Sequence, residues 1–493
     1  MRNKIILFLS LLIPFTLAFI YVWITAADVA FREDLFMASG GCVEKYLNGT
    51  LTFTDLWRPV FFCRLLGYHL LEIANIKFFS LNSNIIVLLI PFFILVSAIL
   101  IYREYRKSLS PYRSQGFIAA TFIIIALIIF NVIQNEGLNF AYGLAYQYSM
   151  PFLIGSFISI DLFFSKDSGK YWPPAFILSA LAVLVFGETK VIPFVMATGV
   201  TFLCYLLTRS QTFPKNIQFR VLLISIFLIS ITFLWIFRIS YNNFVPYSLS
   251  GSYYTIVVEV FSYPSEALQF LFSAFGASVI GVDAFFAYDF ISFHTMVILG
   301  IIVVLLYVSA LVLFFRSHMY ERTYLPFFLI MLTFTYLIFV TFGRLFYAKD
   351  VGMASHYTCV SIYGIVAIVW IFIFIFARPV KTNVFLKSTL FTGLAIIFAG
   401  LLLTSTAVWR IQPERKAYFE RLQDIAMRVD TATPGELHKF SMIDAHTPED
   451  LSQYEEQVSE RIRESLRLLR KYNLNVYRAA PADREQHLLS KYK

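Results

Sequence analysis

Apolar runs long enough to cross a bilayer recur along the whole chain, at roughly 5–26, 84–102, 116–134, 148–164, 172–187, 190–208, 220–237, 294–315, 324–342, 357–376 and 388–409. A hydrocarbon core about 30 Å thick takes about 20 residues of helix, whose backbone groups bond within the segment and so satisfy themselves without water. Eleven such runs, with a mean hydropathy of +0.70 and only 14% charged residues, leave little room for a soluble globule. The expectation is an all-α polytopic membrane protein of about eleven transmembrane helices. The run at 172–187 is the shortest, and Gly187-Glu188-Thr189-Lys190 leaves only a tight hairpin before the next.

Lys and Arg set the orientation. With the N-terminus inside, the short inner segments hold sixteen of the forty basic residues, among them Arg103, Arg106, Lys107, Arg113, Arg316 and Arg378. The longer outer loops hold nine. The net charge of +9 is therefore a topology signal, not a nucleic-acid footprint, which needs a basic stripe on one soluble face. The first run is read as an uncleaved span and not a removed signal peptide, because its apolar stretch is too long for a typical one. No Walker loop, dinucleotide fingerprint or HExxH zinc motif occurs.

On this topology the first outer loop spans 27–83. It opens with the acidic pair Glu33-Asp34, just outside the hydrocarbon. Leu35, Phe36, Cys42, Val43, Tyr46 and Leu47 follow with the spacing of an amphipathic surface helix, and Asn48-Gly49 ends it. A second amphipathic helix is expected over about 59–74. Its apolar side would carry Phe61, Phe62, Leu65, Leu66, Leu70 and Ile73; its polar side would carry Arg64, Tyr68 and Glu72. Cys42 and Cys63 share this loop, and whether they form a disulfide is left open. Read as local structure, Glu33 and Asp34 are a helix-start pair satisfying backbone donors.

Other outer segments add candidates. The stretch 138–147 (LNFAYGLAYQ) is aromatic and almost uncharged: either an interfacial belt or a re-entrant segment lining a cavity. Glu188 and Lys190 are either a loop cap or a carboxylate and a cation on the same face as Asp34. In the second long loop, 239–293, residues 266–280 are apolar but short, as expected for a membrane-dipping helix. Arg344, Lys349, Asp350 and His356 return to the outer face near the end of the membrane region. The division expected is a membrane region over 1–409 and a small helical domain over 410–493, outside by span parity. Within the latter, Thr447-Pro448-Glu449-Asp450 opens a helix running to about 472.

Several of these elements together resemble the polyprenyl-phosphate-sugar-dependent glycosyltransferases of the GT-C fold, most nearly the bacterial glucosyltransferases that decorate O-antigen. The resemblance rests on Glu33-Asp34 after the first span, Asn48-Gly49, Thr54-Asp55-Leu56-Trp57, and Arg64 before an aliphatic helix. It extends to Gly343-Arg344 followed by Ala354-Ser355-His356-Tyr357, and to the Leu474-Asn475-Val476-Tyr477 ending. The chain departs from the family in placing His356 where an arginine is usual.

The resemblance implies transfer of a sugar, glucose by the nearest relatives, from a lipid carrier to a hydroxyl of O-antigen or a related glycan. This would happen at the periplasmic face of a bacterial inner membrane, where nucleotide sugars are absent. It assigns the catalytic base to Asp34 with Glu33 as partner, and donor phosphate or sugar contacts to Arg64, Arg58, Arg344, Lys349, His356, Glu188 and Lys190. Arginine forks suit phosphate oxygens best. No metal-ligand cluster is visible, and dependence on a divalent metal is left open. Partners implied are the donor lipid, the glycan acceptor and the bilayer, with no nucleic acid. Two competing readings are an O-antigen polymerase or ligase, whose basic loops lie in the second half, and a lipid or solute transporter, for which internal repeats are expected.

Overall fold

The computed structural model describes residues 2–31, 33–38, 41–57, 59–60, 63–165, 169–209, 216–236, 260–345, 352–378, 384–440 and 452–478. Among these residues ten helices are long and apolar enough to cross a membrane, and the protein is an all-α polytopic membrane protein. The helix at the centre is Ser355–Ala377, nearly all of whose side chains are buried. Around it pack Ser83–Leu109, Gln115–Ile129, Gly143–Ser165, Phe293–Arg316 and Leu325–Arg344. Arg2–Thr25 and Ile217–Ile236 lie at the edge, with Phe8, Trp23, Phe219, Ile229 and Phe233 among their exposed side chains. Apolar residues on both the inner and outer faces of these helices are what a lipid solvent requires.

Where two helices touch most closely, the contact is made by glycine. A Cβ on Gly300 would lie 1.7 Å from the Phe272 carbonyl oxygen, and one on Gly276 would lie 2.3 Å from that of Met296. These positions join Pro264–Ala277 to Phe293–Arg316, and backbones meet as small residues allow in membrane interiors. The apolar segment expected to dip into the membrane is this first, 14-residue helix.

Three sequence expectations are corrected. The run at 172–187 forms only the 14-residue apolar segment Trp172–Val185, which widens into a π-turn over Leu181–Val185 and ends at Gly187. There a Cβ would meet the carbonyls of Ala182 and Val183 at 2.7 Å. The first amphipathic helix is two short ones, Glu33–Ala38 and Cys42–Leu47, with residues 39 and 40 between them outside the described residues. Gly49 adopts φ +69° where the stop was expected. The second amphipathic helix begins at Leu66, not 59. Ahead of it Pro59–Val60 pairs antiparallel with Cys63–Arg64, Pro59 facing Arg64. Tertiary contacts override helix propensity here, because the Arg64 guanidinium donates to the carbonyls of Trp57 and Trp235.

In that helix Tyr68, His69, Glu72 and Asn75 are buried together with Leu66 and Ile76, while Leu70, Phe78 and Phe79 are exposed. The Cys42 thiol donates to the Asp55 carbonyl at 3.4 Å.

The last membrane helix runs without a break from Val384 to Met427, so the boundary expected at 409/410 falls inside it. The C-terminal segment then folds back over the first loop. Helix Ser452–Lys471 packs on Glu33–Ala38, with the Ser465 hydroxyl donating to the Leu35 carbonyl at 2.7 Å. The proposed start of this helix at 447–450 lies outside the described residues. Arg467 and Arg470 pair with Asp430 at 2.9 and 2.5 Å.

Asn475, in the left-handed region at φ +56°, is the centre of the join. Its Oδ1 accepts from the Ala30 amide at 2.7 Å, and its Nδ2 donates to the Leu81 carbonyl (3.0 Å), the Ser83 hydroxyl (2.8 Å) and Asp28 (3.3 Å). Arg478 pairs with Asp28 beside it.

A buried polar network anchors the other side of the first loop. Thr25 donates to Asn139 (2.9 Å), Asn139 to the Tyr21 hydroxyl (3.1 Å), and Arg415 to the same hydroxyl (3.3 Å). Arg415 also pairs with Asp283, which accepts from Asn135. Both ends of the short helix Glu136–Asn139 and its approach are thereby fixed.

Candidate active site

Asp34 lies in the first turn of Glu33–Ala38 and is 7% exposed. Its Oδ1 accepts the Tyr68 hydroxyl proton at 2.5 Å. Tyr68 is delivered by Gly67, where a Cβ would sit 2.8 Å from both the Val185 carbonyl and the Phe186 ring, so this helix is pressed against the π-turn. From Tyr68 the contacts continue edge to face. Its ring meets Tyr142 at 5.3 Å, and Tyr142 meets Tyr146 at 5.4 Å. Tyr146 stacks on the His356 ring at 5.1 Å and 20°. The Lys190 ammonium, fully buried, lies 5.5 Å from the Tyr146 centroid, a cation–π contact.

His356 is oriented by Glu136. Its Nδ1 and the Glu136 Oε2 are 2.9 Å apart, and the same oxygen accepts from the His356 amide (3.3 Å) and the Ser355 hydroxyl (3.2 Å). Ser355 and His356 open the central helix Ser355–Ala377, so this carboxylate sits at a helix N-terminus, where unpaired amides and the dipole favour it. Next along the helix, Tyr357 takes a hydrogen bond at 3.1 Å from the Nε of Arg344, the last residue of Leu325–Arg344.

Asp34, Lys190, His356 and Arg344 therefore belong to one connected set of side chains. The joining residues are Tyr68, Tyr142, Tyr146, Tyr357 and Glu136. Arg64 stands to one side. It is buried with its Nε on the Trp235 carbonyl at 2.7 Å and its plane 5.0 Å from the Trp57 ring, and burial lowers its pKa from the usual arginine range. It clasps the C-terminal end of Ile217–Ile236 to the first loop, and its strand packs against the Glu188–Lys190 turn.

Arg58 and Lys349 lie outside the described residues, and the side chains of Glu33 and Glu188 are likewise not described. Among the described residues no group of three or more His, Cys, Asp or Glu side chains is arranged to hold a metal ion.

Sequence reasoning missed Glu136, which reads as the polar exit of a span, and the role of the tyrosines. The signal for the latter was the aromatic stretch 138–147. Its residues are largely buried in the bundle, Tyr142 at 3% exposure, and they line the set instead of forming an outer belt. Thr54-Asp55 has a local role: Asp55 closes a capping box with Thr52 and pairs with Lys45, whose hydrogen bond holds the Asp55 pKa down at about 2.

Comparison of the chain with known protein families, with curated proteins and with solved structures finds no match.

Proposed function

We propose that this chain is a glycosyltransferase that moves a sugar, glucose by the nearest resemblance, from a polyprenyl-phosphate carrier to a hydroxyl of O-antigen or a related glycan. One observation carries the reading. The loop after the first span and the 343–357 segment, distant in sequence, are the two stretches behind the resemblance. They meet through the unbroken side-chain path Asp34–Tyr68–Tyr142–Tyr146–His356.

In this reading Asp34 takes the proton of the acceptor hydroxyl. The acceptor oxygen bonds to the anomeric carbon, the bond from that carbon to the phosphate oxygen breaks, and the polyprenyl phosphate leaves with the electron pair. Lys190 and Arg344 stabilise the charge that gathers on the departing phosphate. Tyr68, by donating to Asp34, fixes the carboxylate's orientation, and Glu136 does the same for His356, which reaches the sugar or the phosphate. The site faces the periplasmic side of the inner membrane, the N-terminus is cytoplasmic, and the C-terminal segment covers the first loop from outside.

The position of the polar groups supports an enzyme over a carrier. Arg344 ends its helix, Ser355 and His356 begin theirs, and Asp34 follows the end of the first span. A transporter concentrates such groups at breaks near mid-membrane. Asp34→Asn tests the proposal in cells. Loss of glycan modification is expected at wild-type membrane levels of the protein; unaltered modification sinks the assignment.

A further inference from the structure

The end of the bundle away from Asp34 carries a concentration of charge with no task in the scheme above. The central helix Ser355–Ala377, 23 residues and about 34 Å long, runs from His356 to that end. There Ser83–Leu109 gives way to Gln115–Ile129, and Phe293–Arg316 to Leu325–Arg344. The connections between them bring Arg113, Arg322 and Arg378 to one ring, that of Tyr112. The Cζ atoms of Arg378 and Arg322 lie 5.3 and 5.9 Å from its centroid, and Arg113 is the next residue in the chain. Phe374 meets the same ring edge to face at 5.6 Å, and Arg378 lies 5.7 Å from the Phe374 centroid.

The fold uses part of this charge. Arg113 donates to the Phe376 carbonyl at 3.3 Å and Arg378 to the Ser317 carbonyl, both at helix C-termini, where cations are favoured. Arg322 is exposed and makes no hydrogen bond among the described residues. None of the three guanidiniums has an ion pair among those residues; the acid next to them in sequence, Glu321, pairs with His318 at 3.6 Å. Topology accounts for basic residues at this end of the helices, but not for their convergence on a single ring. Like charges this close raise one another's energy unless an anion sits among them. Lipid-facing surface begins at the same place. Phe376, whose carbonyl Arg113 holds, is 38% exposed, and Val312 and Val308, about one and two turns before Arg316, are exposed as well.

We propose that Arg113, Arg322 and Arg378 bind the phosphate of an anionic glycerophospholipid in the leaflet away from Asp34, with its acyl chains on the apolar surface beside Phe376. Guanidinium forks match phosphate oxygens, and the Tyr112 ring holds two of them in place by cation–π contact. Basic clusters between the ends of membrane helices suit lipid head groups for this reason. The site is independent of the sugar-transfer reading and rests only on the bundle lying in a bilayer.

The test titrates purified full-length protein in detergent with dioleoylphosphatidylglycerol or dioleoylphosphatidylcholine and counts bound lipid by native mass spectrometry. One phosphatidylglycerol per chain is expected at concentrations where phosphatidylcholine is not retained. Arg322→Glu should weaken that binding at least about tenfold. Lys170→Glu makes the same change of charge at the same end of the bundle, on an exposed residue that faces another ring, Tyr171, and should bind within about twofold of wild type. Arg322→Gln, the milder change, should fall between the two and carries the test if the reversal does not fold. Equal retention of the two lipids by the wild-type protein overturns the proposal, as does equal weakening by Arg322→Glu and Lys170→Glu. Displacement of the lipid by millimolar glycerophosphoglycerol or inorganic phosphate also overturns it, since the site would then take a free phosphate and not a lipid.

Discussion

Removing the Asn475 side chain is expected to loosen the first loop without touching the proposed chemistry. The residue is 1% exposed and serves four partners. In Asn475→Ala the buried Ala30 amide loses its acceptor, at about 1–3 kcal/mol for an unsatisfied group, and Leu81 and Ser83 each lose a donor worth about 1 kcal/mol. The left-handed backbone at φ +56° adds about 1 kcal/mol for alanine. The sum is about 4–6 kcal/mol, which corresponds to opening of the join on the order of a thousand to ten thousand times more often. Hydrogen–deuterium exchange of peptides covering 28–36 and 79–84 reads this directly. Asn475→Gly removes the same bonds but not the backbone preference, so it should exchange more slowly than the alanine variant. Asn475→Asp keeps an acceptor for Ala30, loses all three donor bonds and adds a charge facing Asp28, so it should open nearly as readily as alanine. Exchange at the wild-type rate in Asn475→Ala would refute the view that the C-terminal segment holds the loop.

Three further outcomes are expected. Asp283→Asn removes the carboxylate that Arg415 pairs with, and breaking a largely buried ion pair from one side costs about 3 kcal/mol, seen as a lowered unfolding midpoint in detergent. Gly300→Ala drives a methyl into the Phe272 carbonyl and should cost about 2–3 kcal/mol, whereas Gly199→Ala, with nothing within 4 Å, should leave the midpoint unchanged or slightly raised. Asp55 has a depressed pKa, so its cap is fully formed above the ordinary carboxylate value near 4 and is lost as pH falls through about 2. Lys45→Met removes the largest cause of the shift and should move the midpoint up towards 4, as followed by carboxyl-carbon NMR of labelled aspartate.

The membrane helices were legible because length and apolarity alone decide them, and Trp172–Val185 departs from expectation through a π-turn that no periodicity announces. Asp34, Arg344 and His356 were legible as polar residues at span ends. Glu72 and His69 were not read as buried. The sequence gives Leu66–Phe79 an apolar and a polar side, but Leu66 and Ile76 are buried with Tyr68, His69, Glu72 and Asn75 while Leu70, Phe78 and Phe79 are exposed, so burial follows the tertiary contacts and not the split in polarity. Asn475 was visible only as part of a short ending, since its partners lie some four hundred residues earlier in the chain. Glu136 escaped for a similar reason: its partner is the start of a helix more than two hundred residues later.

The most direct measurement is a structure of the protein with a non-transferable phosphonate analogue of undecaprenyl-phosphoryl glucose. The account predicts the phosphonate against Lys190 and Arg344, with the glucose turned towards Asp34 and Tyr68. An analogue bound away from Asp34, for example at the C-terminal ends of Ser83–Leu109 and Gly143–Ser165, where Lys107 pairs with Glu104 and Asp161, would contradict it.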